Sequence, residues 1–187
     1  AVVVIEVATG KVLVYSSHLE RGPVRDLCAE ATAPAASVFK VITGAALIEH
    51  AKLSGDTPQC YSGGEQRITE RDLTDDPKRD RWCATLTTAM GRSINTVFAR
   101  LALKHLPPQA LVAAARKFGF GDSVPFDVKT QPSSLQIPDE TLEYARTAAG
   151  FWHSTLSPLH AAWISATIAR GGESIRPYVV SEARDAA

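Results

Sequence analysis

The sequence lacks two features that would point directly to a binding partner. Its 20 Lys and Arg residues equal its 20 Asp and Glu residues, so the formal net charge at pH 7 is zero. This balance gives no support to binding of nucleic acid or of an anionic membrane surface. No apolar run approaches the length of a membrane-spanning helix.

With 187 residues, 45% of them hydrophobic, the chain is large enough for one domain with a substantial core.

Cysteine is scarce: Cys28, Cys60 and Cys83 are the only three. Cys60 and Cys83 flank a polar, turn-rich segment, so they could form a disulfide, remain two thiols, or bind zinc. A disulfide would leave Cys28 free and would indicate an oxidising compartment. The chain also lacks a signal peptide and opens on Ala1 inside a predicted strand. We therefore expect it to be a segment of a longer protein.

The pattern of apolar residues predicts an α+β fold. Residues 1–7 and 11–16 are predicted to form a β-hairpin, joined by a turn at Ala-Thr-Gly. A buried helix is predicted at residues 35–51, and a long surface excursion at residues 54–82 with at most one helical turn at 69–73. Further helices are predicted at 84–90, 96–105, 108–118, 139–149 and 158–170, a loop with one short strand at 122–137, and the start of a strand at 175–181.

Ser37 and Lys40 are the first candidate catalytic pair, at the start of the predicted helix just after Pro34. Residues at i and i+3 share a helix face, so this spacing places a hydroxyl beside an amine. Burial among apolar neighbours would lower the pKa of the lysine and let it accept the serine proton. The helix N-terminus would add donors for an acyl oxyanion.

Ser93 and Asn95 form a second candidate pair, between two predicted helices, and Asn95 is the only asparagine in the chain. Alternate residues of an extended tripeptide project to one side, so both side chains could enter the same cleft. There the hydroxyl could relay a proton, and the carboxamide could hold a lysine ammonium and a substrate carbonyl. The alternative is a local role, with Ser93 or Asn95 as the N-cap of the following helix.

Together, the Ser-x-x-Lys and Ser-x-Asn motifs resemble two signatures of the transpeptidase domain of penicillin-binding proteins. The resemblance covers nearly the whole chain. Residues 1–14 look like the family's opening hairpin, residues 118–121 look like its Phe-Gly-Phe-Gly turn, and residues 156–172 are similar to its Thr-Pro-Leu-Gln helix ending in Asn-Gly-Gly. It implies a β-lactamase/transpeptidase-like fold in a single domain at 1–187, with the first two strands at 1–16 and a mainly helical part at 35–172.

The resemblance also implies a serine D,D-transpeptidase that cross-links peptidoglycan. Ser37 would be the acylated nucleophile, Lys40 its base, Ser93 the proton shuttle, and Asn95 the anchor for substrate and lysine. The acyl donor would be a stem peptide ending in D-Ala-D-Ala, and β-lactams would acylate the same serine. No metal or organic cofactor is expected. The family acts outside the cytoplasmic membrane, to which an N-terminal anchor absent from this segment would attach the parent protein.

The family's third signature, Lys-Thr-Gly or Lys-Ser-Gly, has no counterpart after Gly171-Gly172. Lys129-Thr130-Gln131 is interpreted as structural, because it precedes the Ser-Pro-Leu-His helix and has Gln where glycine lets a substrate backbone approach. The missing strand would supply the second oxyanion donor, whose loss costs about a hundredfold or more in rate. We expect a sheet that lacks its C-terminal strands and leaves the hairpin exposed, and a chain inactive alone unless a second chain or a missing segment supplies that strand.

Two other functions remain open. A serine β-lactamase or a β-lactam sensor domain would resemble the same scaffold and would differ in how fast the acyl-enzyme is hydrolysed. The segments Phe-Gly-Phe-Gly and Ser-Pro-Leu-His favour the transpeptidase over both. A noncatalytic scaffold or binding relative would keep the fold without turnover, which the missing third signature would explain.

Overall fold

The computed structural model describes residues 1–64 and 66–183, which have the predicted α+β composition. The strands are β1 (Val2–Ile5), β2 (Val12–Ser16), β3 (Pro58–Tyr61), β4 (Trp82–Thr85), β5 (Ser134–Leu135) and β6 (Ser154–Thr155). The helices are α1 (Phe39–Glu49), α2 (Leu86–Arg92), α3 (Asn95–His105), α4 (Pro108–Lys117), α5 (Thr141–Ala148) and α6 (Pro158–Ala169), with short 3₁₀ helices at Ala36–Val38 and Glu70–Asp72. None of the helices in the described ranges combines the length and apolarity that crossing a bilayer would require.

The chain divides into two compact units. The first contains residues 1–33, 121–133 and the segment that begins at Leu156, and the second contains residues 34–120 and 134–155. All four candidate site residues belong to the second unit.

The first unit contains the predicted opening hairpin. β1 and β2 pair antiparallel, with Val4 opposite Val14, and α6 packs against β1. The expected exposure of this hairpin is observed, because Val2, Val4, Leu13 and Val14 each keep between 40% and 55% of their surface exposed.

The strand that could begin at residues 175–181 is not formed as such. This segment makes a single parallel bridge, between Lys11 and Tyr178. Gly10, with φ of +83°, permits the contact, since a Cβ there would lie 2.4 Å from the carbonyl oxygen of Arg176.

The second unit is built around α1, which packs against α3, α4 and α5. Its apolar residues are buried on most sides, as the sequence predicts, and Phe39, Ile42 and Leu47 are fully buried. The hydroxyl of Thr43 joins α1 to the end of α5, donating to the carbonyl oxygen of Ala148 at 2.8 Å. The predicted helices at 96–105, 108–118, 139–149 and 158–170 are also found, with ends that differ by at most two residues.

The surface excursion is more ordered than the sequence indicates. β3 and β4 close its two ends as an antiparallel pair in which Cys60 lies opposite Cys83, and these cysteines form a disulfide. Cys28 remains a buried free thiol. The predicted helical turn is present at Glu70–Asp72. The prediction missed β3 and β4 because four residues carry too short an alternation to identify a strand.

The presence of β4 also moves the start of the next helix. The sequence predicts a helix from residue 84, but Ala84 and Thr85 are extended, and α2 begins at Leu86. The Thr85 hydroxyl accepts a hydrogen bond from the Thr88 N–H at 3.1 Å, which is the N-cap geometry that fixes this start.

Arg100 on α3 anchors the excursion from the inside. Its side chain is fully buried, and it donates to the carbonyl oxygens of Asp72 at 2.7 Å and Cys60 at 2.8 Å. It also pairs with Asp80, whose side chain is 3% exposed, and this hydrogen bond holds the pKa of the Asp80 carboxyl below its usual range. The buried guanidinium therefore satisfies a carboxylate and two carbonyls at once.

We expect Arg100→Met to destabilise the protein by about 3–5 kcal/mol, because the substitution leaves the Asp80 carboxylate buried without its partner. Urea unfolding monitored by circular dichroism measures this loss. The matched control is Arg116→Met on the exposed side of α4, which should change the free energy of unfolding by less than about 0.5 kcal/mol. Equal stability of the two variants would contradict the anchoring role.

Candidate active site

Hydrogen bonds join the side chains of Ser37, Lys40 and Ser93. Ser37 lies in the 3₁₀ turn before α1, and Lys40 is the second residue of that helix. The Lys40 Nζ donates to the Ser37 Oγ at 2.9 Å, and the Ser93 Oγ donates to the same oxygen at 2.9 Å. The Ser37 hydroxyl therefore has an amine and a second hydroxyl within proton-transfer distance.

Lys40 lies in an environment that disfavours its charge. Only 1% of the surface of this residue is exposed to solvent. Burial lowers the pKa of Lys40 from 10.5 to about 8. A substantial fraction of the lysine is therefore neutral at mildly alkaline pH and can accept a proton.

Ser93 reaches Ser37 because the chain reverses sharply between α2 and α3. Ser93 is the C-cap of α2 and adopts the left-handed conformation, with φ of 56° and ψ of 43°. Ile94 is the N-cap of α3 and makes no side-chain capping bond, while Asn95 is the first residue of that helix. The alternative in which Ser93 or Asn95 caps α3 is therefore wrong.

Asn95 and Ser37 line one cleft of about 320 Å³. One side of this cleft consists of Pro34, Ala36 and Ser37, and Gln66 and Asn95 also line it. Residues 149–152, after α5, complete the lining. Sequence reasoning missed this last segment and Gln66, because neither carries a catalytic residue type or a motif spacing.

The Ser37 backbone is held in place by a close approach to Gly150. Gly150 has φ of +88°, and a Cβ there would lie 2.2 Å from the carbonyl oxygen of Ala36 and 3.4 Å from the Cα of Ser37. Ala36 itself has φ of +49°, a conformation that costs on the order of 1 kcal/mol or more for a residue with a Cβ. Only glycine at position 150 lets the chain pass this close to the turn that carries Ser37.

The Lys129-Thr130-Gln131 segment has a structural role, as its sequence position suggests. Thr130 is 2% exposed, and its hydroxyl donates to the carbonyl oxygen of Val124 at 3.4 Å. Its own carbonyl oxygen accepts a hydrogen bond from the Ser123 hydroxyl at 3.1 Å. These contacts order a loop within the first unit.

Known proteins are similar to this chain in sequence and in fold. Over 170 residues, the chain is 31% identical to the peptidoglycan D,D-transpeptidase PbpA of Mycobacterium tuberculosis, an alignment that covers 84% of this chain and 33% of that protein. The crystal structure of PBPA from Mycobacterium tuberculosis matches with a TM-score of 0.75 and 25% identity, covering 97% of this chain and 52% of that one. Its penicillin G acyl-enzyme complex matches with a TM-score of 0.70 and 25% identity, covering 94% and 47%.

The chain thus spans about a third of the length of the curated relative that it matches. The model of the family described as the penicillin binding protein transpeptidase domain matches residues 1–186, almost the entire sequence. The resemblance that rests on the Ser-x-x-Lys and Ser-x-Asn motifs is therefore confirmed at the level of the family. The chain belongs to the penicillin-binding protein transpeptidase domain family.

Proposed function

We propose that the protein is a serine D,D-transpeptidase that cross-links peptidoglycan through an acyl-enzyme on Ser37. The observation that carries this proposal is the hydrogen-bonded series of Lys40 Nζ, Ser37 Oγ and Ser93 Oγ in the second unit. Membership of the family supports it, as does the name of the relative PbpA, a peptidoglycan D,D-transpeptidase. The acyl donor is a stem peptide that ends in D-Ala-D-Ala.

In the first half-reaction, neutral Lys40 accepts the proton of the Ser37 hydroxyl as Oγ attacks the carbonyl carbon of the penultimate D-alanine. The oxyanion that develops is stabilised by the backbone N–H of Ser37. Ser93 passes a proton to the amide nitrogen of the terminal D-alanine as the C–N bond breaks, and Lys40 returns a proton to Ser93. The proton taken from Ser37 therefore leaves with D-alanine, and Lys40 is neutral again. The products are an ester of Ser37 and free D-alanine.

In the second half-reaction, an amine of a neighbouring stem peptide attacks the ester carbonyl. Ser93 accepts the amine proton and gives a proton to Lys40, the new amide bond forms, and the ester C–O bond to Ser37 breaks. Lys40 then returns the proton to the Ser37 oxygen, which restores the hydroxyl. Asn95, at the first position of α3 and on the wall of the cleft, holds the peptide and orients the lysine. Each step is a proton transfer or an acyl transfer between the residues named and the two peptides.

β-Lactams are proposed to acylate the same serine, because they present a reactive amide in the position of the D-Ala-D-Ala bond. Penicillin-binding protein A from Mycobacterium tuberculosis has been solved as an acyl-enzyme complex with penicillin G. We also propose that a second chain or a further segment supplies the Lys-Thr-Gly strand, since residues 173–187 contain no such motif. This strand would bind the substrate carboxylate and donate the second oxyanion hydrogen bond.

The site of action is proposed to be the outer face of the cytoplasmic membrane, where peptidoglycan is assembled, with the parent protein held by a membrane anchor. The Cys60–Cys83 disulfide supports an oxidising compartment of this kind.

Exposure of the full-length protein to penicillin G should add the mass of one penicillin to Ser37, as detected by mass spectrometry of the intact protein and its peptides. Ser37→Ala should form no adduct, because the attacking oxygen is lost. The matched control is Ser165→Ala on the exposed side of α6, which should react as the wild type does.

An adduct that persists in Ser37→Ala would contradict the proposal. Absence of an adduct from the folded wild type would favour the noncatalytic scaffold. Rapid release of hydrolysed penicillin from Ser37 would favour the β-lactamase.

The acylation rate should increase with pH until it levels off above about pH 8, because only neutral Lys40 can act as the base. Below that value the neutral fraction, and with it the rate, should fall about tenfold for each pH unit. Stopped-flow acylation by a fluorescent penicillin measures this profile.

Lys40→Met should slow the reaction by about a hundredfold or more. The matched control, Lys117→Met at the exposed end of α4, should retain the wild-type rate. A profile that is flat between about pH 6 and about pH 9 would exclude Lys40 as the base.

A further inference from the structure

Trp152 presents a large apolar surface to the cleft that contains Ser37. Its side chain is 48% exposed, and it lines the cleft together with Phe151, whose ring meets it edge to face at 5.5 Å. Exposure of this size is costly for a tryptophan, since an aromatic side chain buries about 150–250 Å² when it is covered. Because Trp152 lines the same cleft as the candidate nucleophile Ser37, a ligand bound there would cover the exposed indole surface.

Glu143 on α5 fixes the orientation of this indole. Its Oε2 accepts hydrogen bonds from the Trp152 Nε1 at 2.8 Å and from the His153 Nε2 at 2.8 Å. Its Oε1 accepts from the Arg146 Nη1 at 2.6 Å. These bonds, of which the one from His153 contributes most, lower the pKa of Glu143 to about 2, so the carboxylate stays charged at any working pH.

The same hydrogen-bond network reaches a second part of the cleft lining. Arg146 donates from Nε and Nη2 to the carbonyl oxygen of Ile68, at 3.1 and 2.7 Å, and its guanidinium lies 5.5 Å from the Trp152 ring. Ile68 is fully buried and lies two residues after Gln66, which lines the cleft. The ion pair between Arg146 and Glu143 therefore ties both the 66–68 segment and Trp152 to α5.

These contacts determine which part of Trp152 is available to a ligand. The only polar atom of the indole donates to Glu143, so the remaining surface is an apolar ring system held at a fixed angle. Such a surface discriminates between ligands by the size and shape of their apolar groups. It offers no hydrogen bond to the reacting amide.

We propose that Trp152 is a specificity-determining residue that packs against the side chain of the acyl donor, next to the carbonyl that Ser37 attacks. Glu143 is the positioning residue that holds it. This inference rests on the proposed function, since it requires acylation of Ser37. The donor group recognised is an apolar one, aliphatic in a stem peptide and aromatic in penicillin G.

The test compares two acylating agents on the full-length protein. Penicillin G carries an aromatic acyl side chain. Aminopenicillanic acid has the same reactive ring and no such side chain. The second-order acylation rate is measured for each agent with wild type, Trp152→Ala, Trp152→Phe and Glu143→Gln. Trp82→Ala is the matched control, because Trp82 is 58% exposed and belongs to β4.

Trp152→Ala should react about tenfold more slowly than the wild type with penicillin G. Its acylation rate with aminopenicillanic acid should stay within about twofold of the wild-type rate. Trp152→Phe should keep most of the rate with penicillin G, because an apolar ring remains. Glu143→Gln should lose rate with penicillin G only, since an amide has a single acceptor oxygen and cannot accept from both Trp152 and Arg146 as the carboxylate does. Trp82→Ala should match the wild type with both agents.

The reaction with aminopenicillanic acid also reports on the integrity of the site, because a folding defect would lower the acylation rate with both agents. If Trp152→Ala does not fold, the test uses Trp152→Phe and Glu143→Gln. For these variants the ratio of the acylation rate with penicillin G to that with aminopenicillanic acid is compared with the wild-type ratio. Equal losses with both agents, or no loss with either, would overturn the role of Trp152 and leave the proposed function intact. A wild type that forms no Ser37 adduct with either agent would overturn the proposed function, and this inference with it.

Discussion

The hydrogen bond between Lys40 and Ser37 is the interaction on which the site depends. Lys40 is 1% exposed, and a charged amine is unfavourable in such a buried place. Burial therefore lowers the pKa of Lys40 from 10.5 to about 8. The benefit is chemical, because a lysine on the protein surface would be protonated and unable to act as a base. Burial at the start of α1 and the hydrogen bond to the Ser37 oxygen bring the proposed nucleophile and its proposed base together from two residues one helical turn apart.

The geometry of that pair requires strain and close backbone contact elsewhere. Ala36, directly before Ser37, has a positive φ, and its carbonyl approaches Gly150 so closely that no other residue fits there. Ser93 adopts the left-handed conformation at the end of α2, which directs its hydroxyl to Ser37. Unfavourable backbone conformations on two segments thus converge on one oxygen atom, the pattern expected of a site shaped by function.

The sequence predicts that the members of each candidate pair lie close together, because they are local in the chain. Ser37 and Lys40 are three residues apart in one helical turn, and Ser93 and Asn95 are two apart at a helix junction, so their spacing alone indicates proximity within each pair. Most helices were predictable for the same reason, since their periodicity extends over several turns. The family's motifs then linked the two pairs, and the fold shows Ser93 reaching Ser37 across a separation of 56 residues.

The parts that depend on contacts between distant residues could not be predicted. Glu143, Arg146 and Trp152 show no motif, and their importance follows only from the hydrogen bonds that join α5 to residue 68 and to the cleft. The strands β3 and β4 are four residues each and become recognisable only when paired across the Cys60–Cys83 disulfide. Gly150 looks like an ordinary helix terminator in the sequence, and its close approach to Ala36 is visible only in three dimensions.

The protonation state of Lys40 in the unliganded protein tests this picture most directly. NMR titration of the side-chain nitrogen, assigned by comparison with Lys40→Arg, measures the pKa without any substrate. The structure predicts a midpoint of about 8. A midpoint at the ordinary value of 10.5 would show that the buried lysine is an ammonium ion at physiological pH, and would contradict its assignment as the base for Ser37.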